Sequence, residues 1–179
     1  MRKSKTAQLT TDAMLAAMVA VLGYFALDLF SYKLSFESLP VLVAALLFGP
    51  LDGAAVGLIG TTLYQILRYG PELSTPLWVL PYGIIGLICG FYARRYRYYN
   101  TDAQIRFIVA SMEGLIFALN TVALYFYAGM IGKAGGAFVI SGLLPRVVTA
   151  VVKAVGFAIL MPHLLKGLHR FGKRHERTP

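Results

Sequence analysis

Apolar residues run along the chain in long, nearly unbroken stretches that short polar connections separate. A helix needs roughly 20 apolar residues to cross about 30 Å of hydrocarbon. Five stretches have about that length, and they cover residues 11–30, 51–69, 76–93, 107–130 and 138–165. The pattern predicts an all-α integral membrane protein with a single membrane domain over residues 1–179, ending in a basic cytoplasmic tail at 166–179.

A sixth apolar stretch, residues 39–49, is too short for an ordinary span, because its eleven residues would reach only about 16 Å as a helix. The basic residues indicate that it crosses all the same. The N-terminal flank, the connection at 94–106 and the C-terminal tail hold twelve of the seventeen Lys and Arg residues. Six crossings place all three regions on the cytoplasmic side, where Lys and Arg are enriched. We therefore expect six transmembrane helices, a short second helix and both termini in the cytoplasm.

The short helix requires special surroundings. Residues 32–38, which precede it, must enter the membrane region as extended or irregular backbone, and lipid cannot satisfy the polar groups of such backbone. Protein must shield this lead-in, or it must line a wet cavity. We expect a cavity open to the outside with Glu37 at its mouth, where the carboxylate either closes over a ligand or caps the short helix.

Composition excludes several other classes of protein. The chain is 58% hydrophobic and only 14% charged, with a mean hydropathy of +0.66, so it has too little polar surface for a soluble domain. The net charge of +9 does not indicate nucleic-acid binding, because the basic residues lie at the ends of apolar stretches. The segment GMIGKAGG lacks the spacing and the hydroxyl of a phosphate-binding loop, so we do not expect the chain to hydrolyse ATP by itself.

Catalytic and metal-binding patterns are also missing from the sequence. No pairing of a nucleophile with a base is recognisable along the chain. His163, His169 and His175 are six residues apart, a spacing that does not place them on one helical face. We therefore expect neither an enzyme, nor a metal site, nor a bound cofactor.

Ionisable residues within the apolar stretches are costly in a membrane and are therefore candidates for function. Arg146 and Lys153 are seven residues apart in the last stretch and lie on one helical face. Matching their depths to the preceding stretch pairs Asn120 with Arg146 and Glu113 with Lys153. We favour a structural ion pair for Glu113 and Lys153, since a buried pair is weak grounds for function.

Arg146 is the centre of the predicted binding site, because it follows Pro145 at the depth of the expected cavity. Aromatic and amide side chains from other stretches reach the same depth, and together they suit a flat, polar, ring-containing ligand. The predicted ligand-binding residues are Phe36, Glu37, Gln65, Trp78, Tyr82, Asn120 and Arg146. In this interpretation Arg146 holds an anionic or carbonyl group, the two amides read ring edges, and Trp78 and Tyr82 stack on the ring. Tyr64, Tyr125 and Tyr127 are further aromatic candidates, although tyrosines at such depths are often interfacial belt residues.

Small residues spaced four apart predict places where helices approach closely. In the glycine-rich stretches, Gly53 with Gly57 and Gly86 with Gly90 predict packing inside the bundle. In the first stretch the same spacing is made by Ala13, Ala16, Ala17 and Ala20. From the residues alone this alanine strip fits packing within the bundle and docking of another protein equally well.

The chain resembles the substrate-binding S components of energy-coupling factor (ECF) vitamin transporters. Six short, glycine-rich helices, the A-x-x-x-A strip and the block LPVLVAALLFGPLDGAAVGLIG, within residues 38–60, carry the resemblance, and the folate-type group is the most similar. The resemblance implies a six-helix fold with a vitamin site near the outer face. It also implies a coupling membrane subunit and two ATPase subunits as partners, with Ala13, Ala16, Ala17 and Ala20 as the docking strip.

We therefore expect a vitamin-binding subunit in the plasma membrane of a prokaryote, which captures folate or a related heterocyclic vitamin for ATP-driven uptake. The preference for folate depends on an expected excess of cations over carboxylates in the cavity. The alternatives are a stand-alone secondary transporter or channel for a small polar solute, with Glu113 and Lys153 as its coupling site, and a purely structural membrane subunit.

Overall fold

The computed structural model describes residues 5–29, 32–96 and 101–175. Apart from one short hairpin, the elements in these ranges are helices. In chain order they are α1 (Lys5–Tyr24), β1 (Leu27–Leu29), β2 (Tyr32–Leu34), α2 (Ser38–Leu47), α3 (Pro50–Tyr69), α4 (Thr75–Arg95), α5 (Asp102–Met130), α6 (Gly135–Ser141) and α7 (Leu143–His175). The helical class predicted from the apolar stretches is confirmed.

The first helix ends earlier than the predicted span of 11–30. α1 stops at Tyr24, and the backbone then forms the antiparallel hairpin β1–β2, with Leu27 opposite Leu34. Pairing between the two strands satisfies backbone groups that a helix would otherwise satisfy. The end of α1 is held by Arg68, whose Nη1 donates a hydrogen bond of 2.9 Å to the carbonyl oxygen of Tyr24. The predicted span end at Phe30 lies outside the described residues.

The short helix α2 lies inside the bundle. It packs against α1, α3 and α4, and Val41, Leu42, Ala44 and Ala45 have no exposed surface. A helix that is apolar on all sides is stable only when it is buried on all sides. α2 ends at a sharp turn where Gly49 has a φ of 121°, and Pro50 begins α3 in the first helical turn. Protein therefore shields the short helix, as its length and composition predict.

Helices α3 and α4 approach each other through glycines. A Cβ atom on Gly86 would lie 2.4 Å from the carbonyl carbon of Gly53, and one on Gly57 would lie 2.5 Å from the carbonyl oxygen of Tyr82. A Cβ atom on Gly90 would meet the Cα of Pro50 at 2.3 Å. No side chain fits at such separations, so the prediction that these glycines serve internal packing is confirmed.

Two other helix boundaries differ from the predicted spans. α5 begins before residue 107, because Thr101 and Gln104 form a capping box in which Gln104 Oε1 accepts from the backbone N–H of Thr101 at 2.9 Å. The predicted span 138–165 is two helices, α6 and α7, separated at Gly142. Pro145 explains the break, since a proline is tolerated in the first turn of a helix but not in its interior.

Four helices in the described part of the chain are long and apolar enough to cross a membrane. They are Thr6–Tyr24, Thr75–Arg95, Asp102–Met130 and Leu143–Leu168. α2 is apolar but shorter than such a helix, and α3 has the length of a span with lower hydropathy. The six crossings and the cytoplasmic position of both termini therefore stay predictions.

Candidate functional site

A cavity of about 630 Å³ lies between α3, α4, α5, α6, α7 and the lead-in to α2. Six of the seven predicted ligand-binding residues line it, and they are Glu37, Gln65, Trp78, Tyr82, Asn120 and Arg146. These residues come from four helices and one loop that are far apart in the sequence. The fold thus brings together one carboxylate, one guanidinium, two amides and two aromatic rings around a space large enough for a vitamin-sized molecule.

Phe36 is the predicted ligand residue that the structure places elsewhere. Its ring lies against that of Phe157 on α7, with ring centroids 5.9 Å apart, and it is not among the residues that line the cavity. Neighbouring residues in an extended segment point in opposite directions, so Phe36 faces away when Glu37 faces the cavity. Phe36 therefore attaches the lead-in to α7.

The Glu37 carboxylate is buried and fixed by two hydroxyl groups. Ser35 Oγ donates a hydrogen bond of 2.8 Å to Glu37 Oε1, and Tyr82 Oη donates to the same oxygen. Glu37 occupies the N-cap position of α2, yet its side chain makes no capping hydrogen bond. Of the two sequence-based interpretations of Glu37, helix capping is therefore wrong, and the carboxylate belongs to the cavity wall.

Two amide groups on the cavity wall lack hydrogen-bond partners among the described residues. Gln65 is only 9% exposed, and its side chain makes no hydrogen bond within the described part of the chain. The buried Oδ1 of Asn120 is likewise unpaired there. Buried amides are normally satisfied, and leaving one unsatisfied costs about 1–3 kcal/mol. Both amides are therefore available to a molecule that enters the cavity.

The Arg146 guanidinium lies on the cavity wall near Phe117, with its central carbon 5.7 Å from the centroid of the phenyl ring. Arg146 is in the first turn of α7, and its carbonyl oxygen accepts a hydrogen bond of 3.0 Å from Thr149 Oγ1. The planar face of a guanidinium packs well on an aromatic ring while its edge donates hydrogen bonds. Asn120, which the depth argument pairs with Arg146, lines the same cavity.

Glu113 and Lys153 form an ion pair at the cavity wall. Lys153 Nζ lies 3.1 Å from Glu113 Oε2, and the Glu113 side chain is 1% exposed. The other carboxylate oxygen accepts a hydrogen bond of 2.6 Å from Ser38 Oγ on α2. Both Glu113 and Lys153 line the cavity, so the pair contributes to the site as well as joining α2, α5 and α7.

Aromatic rings form much of the rest of the wall. Trp78 and Tyr127 meet edge to face, with ring centroids 5.8 Å apart and an interplanar angle of 63°. Tyr64 and Tyr69 pack similarly at 6.0 Å, and both line the cavity. Tyr125, the other tyrosine considered from the sequence, is 55% exposed and lies outside the lining.

The sequence-based argument about charge is wrong. The lining contains three carboxylates, Glu37, Glu72 and Glu113, and two cations, Arg146 and Lys153. One of the cations is already paired with Glu113. Carboxylates thus outnumber cations, and the expected excess of positive charge for a dianionic ligand is absent from the described lining. Glu72 was missed because it lies in a polar connection rather than in an apolar stretch.

The alanine strip divides between two faces of α1. Ala16 and Ala20 are buried, and a Cβ atom on Gly60 of α3 would meet the carbonyl oxygen of Ala16 at 2.7 Å. Ala13 and Ala17 lie on the exposed face of the same helix. Residues three apart on a helix differ by a large rotation, so one strip of four cannot face a single partner. Only Ala13 and Ala17 stay candidates for docking.

Comparison with known proteins gives one match that covers most of the chain. The family model described as "ECF-type riboflavin transporter, S component" matches residues 3–170. A bacterial chain whose structure is described as "Structure and mechanism of the S component of a bacterial ECF transporter" has the same fold, with a TM-score of 0.65 and 21% identity. The superposition covers 92% of this chain and 99% of that one.

Curated relatives match over shorter lengths. A UPF0397 protein of Enterococcus faecalis (strain ATCC 700802 / V583) is 33% identical over 83 residues, which is 44% of each chain. A UPF0397 protein of Clostridium perfringens (strain SM101 / Type A) is 51% identical over 51 residues, or 28% of this chain and 26% of that protein. The match thus spans less than half the length of these relatives. The resemblance to ECF S components seen in the sequence is confirmed, whereas the folate-type assignment is not.

Proposed function

Because this chain belongs to the family of ECF-type riboflavin transporter S components, we propose that it captures a flat heterocyclic vitamin from outside the cell. The proposal places six helices across the plasma membrane of a prokaryote, with both termini in the cytoplasm. In this arrangement the cavity opens outward beside the β1–β2 hairpin. Uptake then depends on a coupling membrane subunit and two ATPase subunits, which supply the ATP hydrolysis.

The observation that carries the proposal is the pair of unsatisfied amides on the wall of the cavity. Gln65 has no partner among the described residues, and neither has Asn120 Oδ1. A buried amide without a partner is costly unless a ligand or ordered water satisfies it. Amides both donate and accept hydrogen bonds, so together they fit a ring edge that carries carbonyl and N–H groups.

Charge in the cavity favours a neutral ring system over a polyanion. Glu113 compensates Lys153, which leaves Arg146 as the cation facing the carboxylates Glu37 and Glu72. A dianionic tail would meet net negative charge, so the electrostatic reason for preferring folate fails. The isoalloxazine ring of riboflavin is flat and uncharged and has carbonyl and N–H groups on one edge, so riboflavin is the ligand that we propose first.

Each lining residue has a role in this proposal. Trp78 and Tyr82 present ring surface to the flat ligand, while Gln65 and Asn120 bind its polar edge. Arg146 donates to a ligand carbonyl. Glu37, fixed by Ser35 and Tyr82, accepts from a ligand N–H or hydroxyl group.

The molecule that co-purifies with the protein tests this proposal directly. Protein purified from its membrane in mild detergent is denatured, and the released ligand is identified by mass spectrometry. Purified protein is then titrated with riboflavin, folate, thiamine and pyridoxine. Saturable quenching of riboflavin fluorescence at a stoichiometry near one is the expected result. Binding of none of the four vitamins, with no co-purifying heterocycle, would contradict the proposal.

The stand-alone transporter is tested with the same preparation. Proteoliposomes that contain this chain alone are loaded with an ion gradient and supplied with labelled vitamin. We expect binding without accumulation, because the ATPase subunits are missing. Accumulation driven by the gradient would instead favour secondary transport through the pair Glu113 and Lys153.

A further inference from the structure

Helix α1 reaches the cavity wall without lining it. None of the described residues of α1 is among the lining residues, yet Gly23, near its C-terminal end, is buried directly behind two of them. A Cβ atom on Gly23 would lie 2.7 Å from Glu37 Oε2 and 2.7 Å from Cγ of Tyr64. It would also lie 2.8 Å from Cδ2 of Tyr64. Contacts this short cannot exist, so a side chain at position 23 must displace at least one of these groups.

Neither group can move away at low cost. Glu37 is buried, and its other oxygen accepts hydrogen bonds from Ser35 and Tyr82. The Tyr64 atoms concerned lie at the base of the ring, close to the backbone of α3, and the ring packs against Tyr69. The Tyr64 hydroxyl also lies 3.3 Å from that of Tyr69. Displacement therefore shifts groups that form the wall of the cavity.

From this geometry we infer that Gly23 is a positioning residue of the ligand site. It allows α1 to close against Glu37 and Tyr64, and it thereby sets where the carboxylate and the aromatic ring stand. The inference rests on the proposed function, since it concerns the same cavity. Gly23 itself touches no ligand.

The test compares Gly23→Ala with Gly156→Ala. Gly156 lies within α7, and a Cβ atom there would meet nothing within 4 Å, so this control carries the same gain in helix propensity without the clash. Affinity is measured with riboflavin as the probe. We expect Gly23→Ala to weaken binding about tenfold or more, because small displacements of binding groups have large effects, and Gly156→Ala to stay near wild type. Affinity of Gly23→Ala equal to that of Gly156→Ala would overturn the inference.

Double-mutant cycles distinguish positioning from a general loss of stability. Gly23→Ala is combined with Glu37→Ala and, separately, with Tyr64→Ala, each of which makes room for the new methyl group. We expect Gly23→Ala to have a smaller effect on affinity in at least one of these backgrounds than in wild type. Additive effects in both backgrounds would contradict the inference. If Gly23→Ala alone does not fold, the comparison of Gly23→Ala/Tyr64→Ala with Tyr64→Ala still measures the displacement of Glu37.

A ligand-independent measurement separates this inference from the proposed function. The chain has one tryptophan, Trp78, which lies on the cavity wall and reports thermal unfolding by fluorescence. The same cycles are measured as unfolding temperatures of the ligand-free protein. Coupling of Gly23 to Glu37 or Tyr64 is expected even if wild-type protein binds no riboflavin, in which case the proposed ligand alone fails. Absence of coupling, with riboflavin bound normally, would reject the positioning role alone.

Discussion

Lys153 Nζ on α7 lies 3.1 Å from Glu113 Oε2 on α5, and the other oxygen of Glu113 accepts a hydrogen bond of 2.6 Å from Ser38 Oγ on α2. Three helices that are distant in the sequence thus meet at one buried carboxylate. The cost of burying that charge is offset by one cation and one hydroxyl group. The same pair lines the cavity, so it joins the structural frame to the proposed ligand site.

Removing one member of this pair should be more harmful than removing both charges. Lys153→Met leaves the Glu113 carboxylate buried without its cation, which is expected to lower the free energy of unfolding by about 3–5 kcal/mol. The double variant Glu113→Gln/Lys153→Met keeps an acceptor for Ser38 and removes both charges, so most of the stability should return. Unfolding in detergent, followed by Trp78 fluorescence, measures this. A double variant as unstable as Lys153→Met would show that the pair does not act as a unit.

Gln65→Leu should separate binding from stability. The substitution removes a buried amide that lacks a partner among the described residues, so the ligand-free protein should be as stable as wild type or more so. Ligand affinity should fall about tenfold, because a hydrogen bond to the ring edge is lost.

Thr61→Val is the matched control for Gln65→Leu. Thr61 is fully buried, its Oγ1 has no hydrogen-bond partner among the described residues, and it does not line the cavity. The substitution should leave affinity unchanged. Equal affinities of Gln65→Leu and wild type would remove Gln65 from the site.

Phosphate esters of the ligand should bind more weakly than the free vitamin. The lining has more carboxylates than cations, so riboflavin monophosphate meets repulsion that riboflavin does not. Glu72 is exposed and accepts a hydrogen bond of 2.9 Å from Ser74 Oγ, which fixes its charge at the cavity wall. Glu72→Gln should therefore reduce the difference between the two affinities, and added salt should reduce it in wild type. Isothermal titration with both compounds is the measurement, and a phosphate ester that binds as well as riboflavin would contradict the charge argument.

The two faces of α1 should respond differently to a larger side chain. Ala17→Leu adds bulk on the exposed face, so ligand binding should persist while association with the coupling subunit is lost. Ala16→Leu adds the same bulk where α1 meets α3, so the fold itself should be destabilised by about 1–3 kcal/mol. Co-purification of the assembled transporter and ligand titration of the isolated chain distinguish the two effects. Unchanged assembly by Ala17→Leu would exclude this face as the docking surface.

Much of the ligand site was predictable because polar groups within apolar stretches are rare. Gln65, Asn120 and Arg146 stand out for that reason, and the structure places all three on one cavity. Phe36 was misplaced because the direction of a side chain in an extended segment depends on its tertiary partner, here Phe157. Glu72 was missed because a carboxylate in a connecting segment gives no signal in hydropathy.

Helix boundaries follow the same division. The capping box of Thr101 and Gln104 was legible in the sequence and explains the early start of α5. The break at Gly142 had a local signal in Pro145, although continuous hydrophobicity concealed it. The end of α1 had no comparable local signal, because it depends on the hairpin and on Arg68, which comes from α3.

By itself, the sequence determined the helical membrane class, the unusual short helix and the identity of most polar groups in the cavity. These follow from the length of apolar stretches and from the high cost of polar groups among them. Only the tertiary structure decided which alanines of α1 face inward, which oxygen of Glu37 is held by Tyr82, and that carboxylates outnumber cations around the cavity. Those outcomes depend on how helices distant in the sequence rotate and pack against each other, and one-dimensional patterns do not encode that geometry.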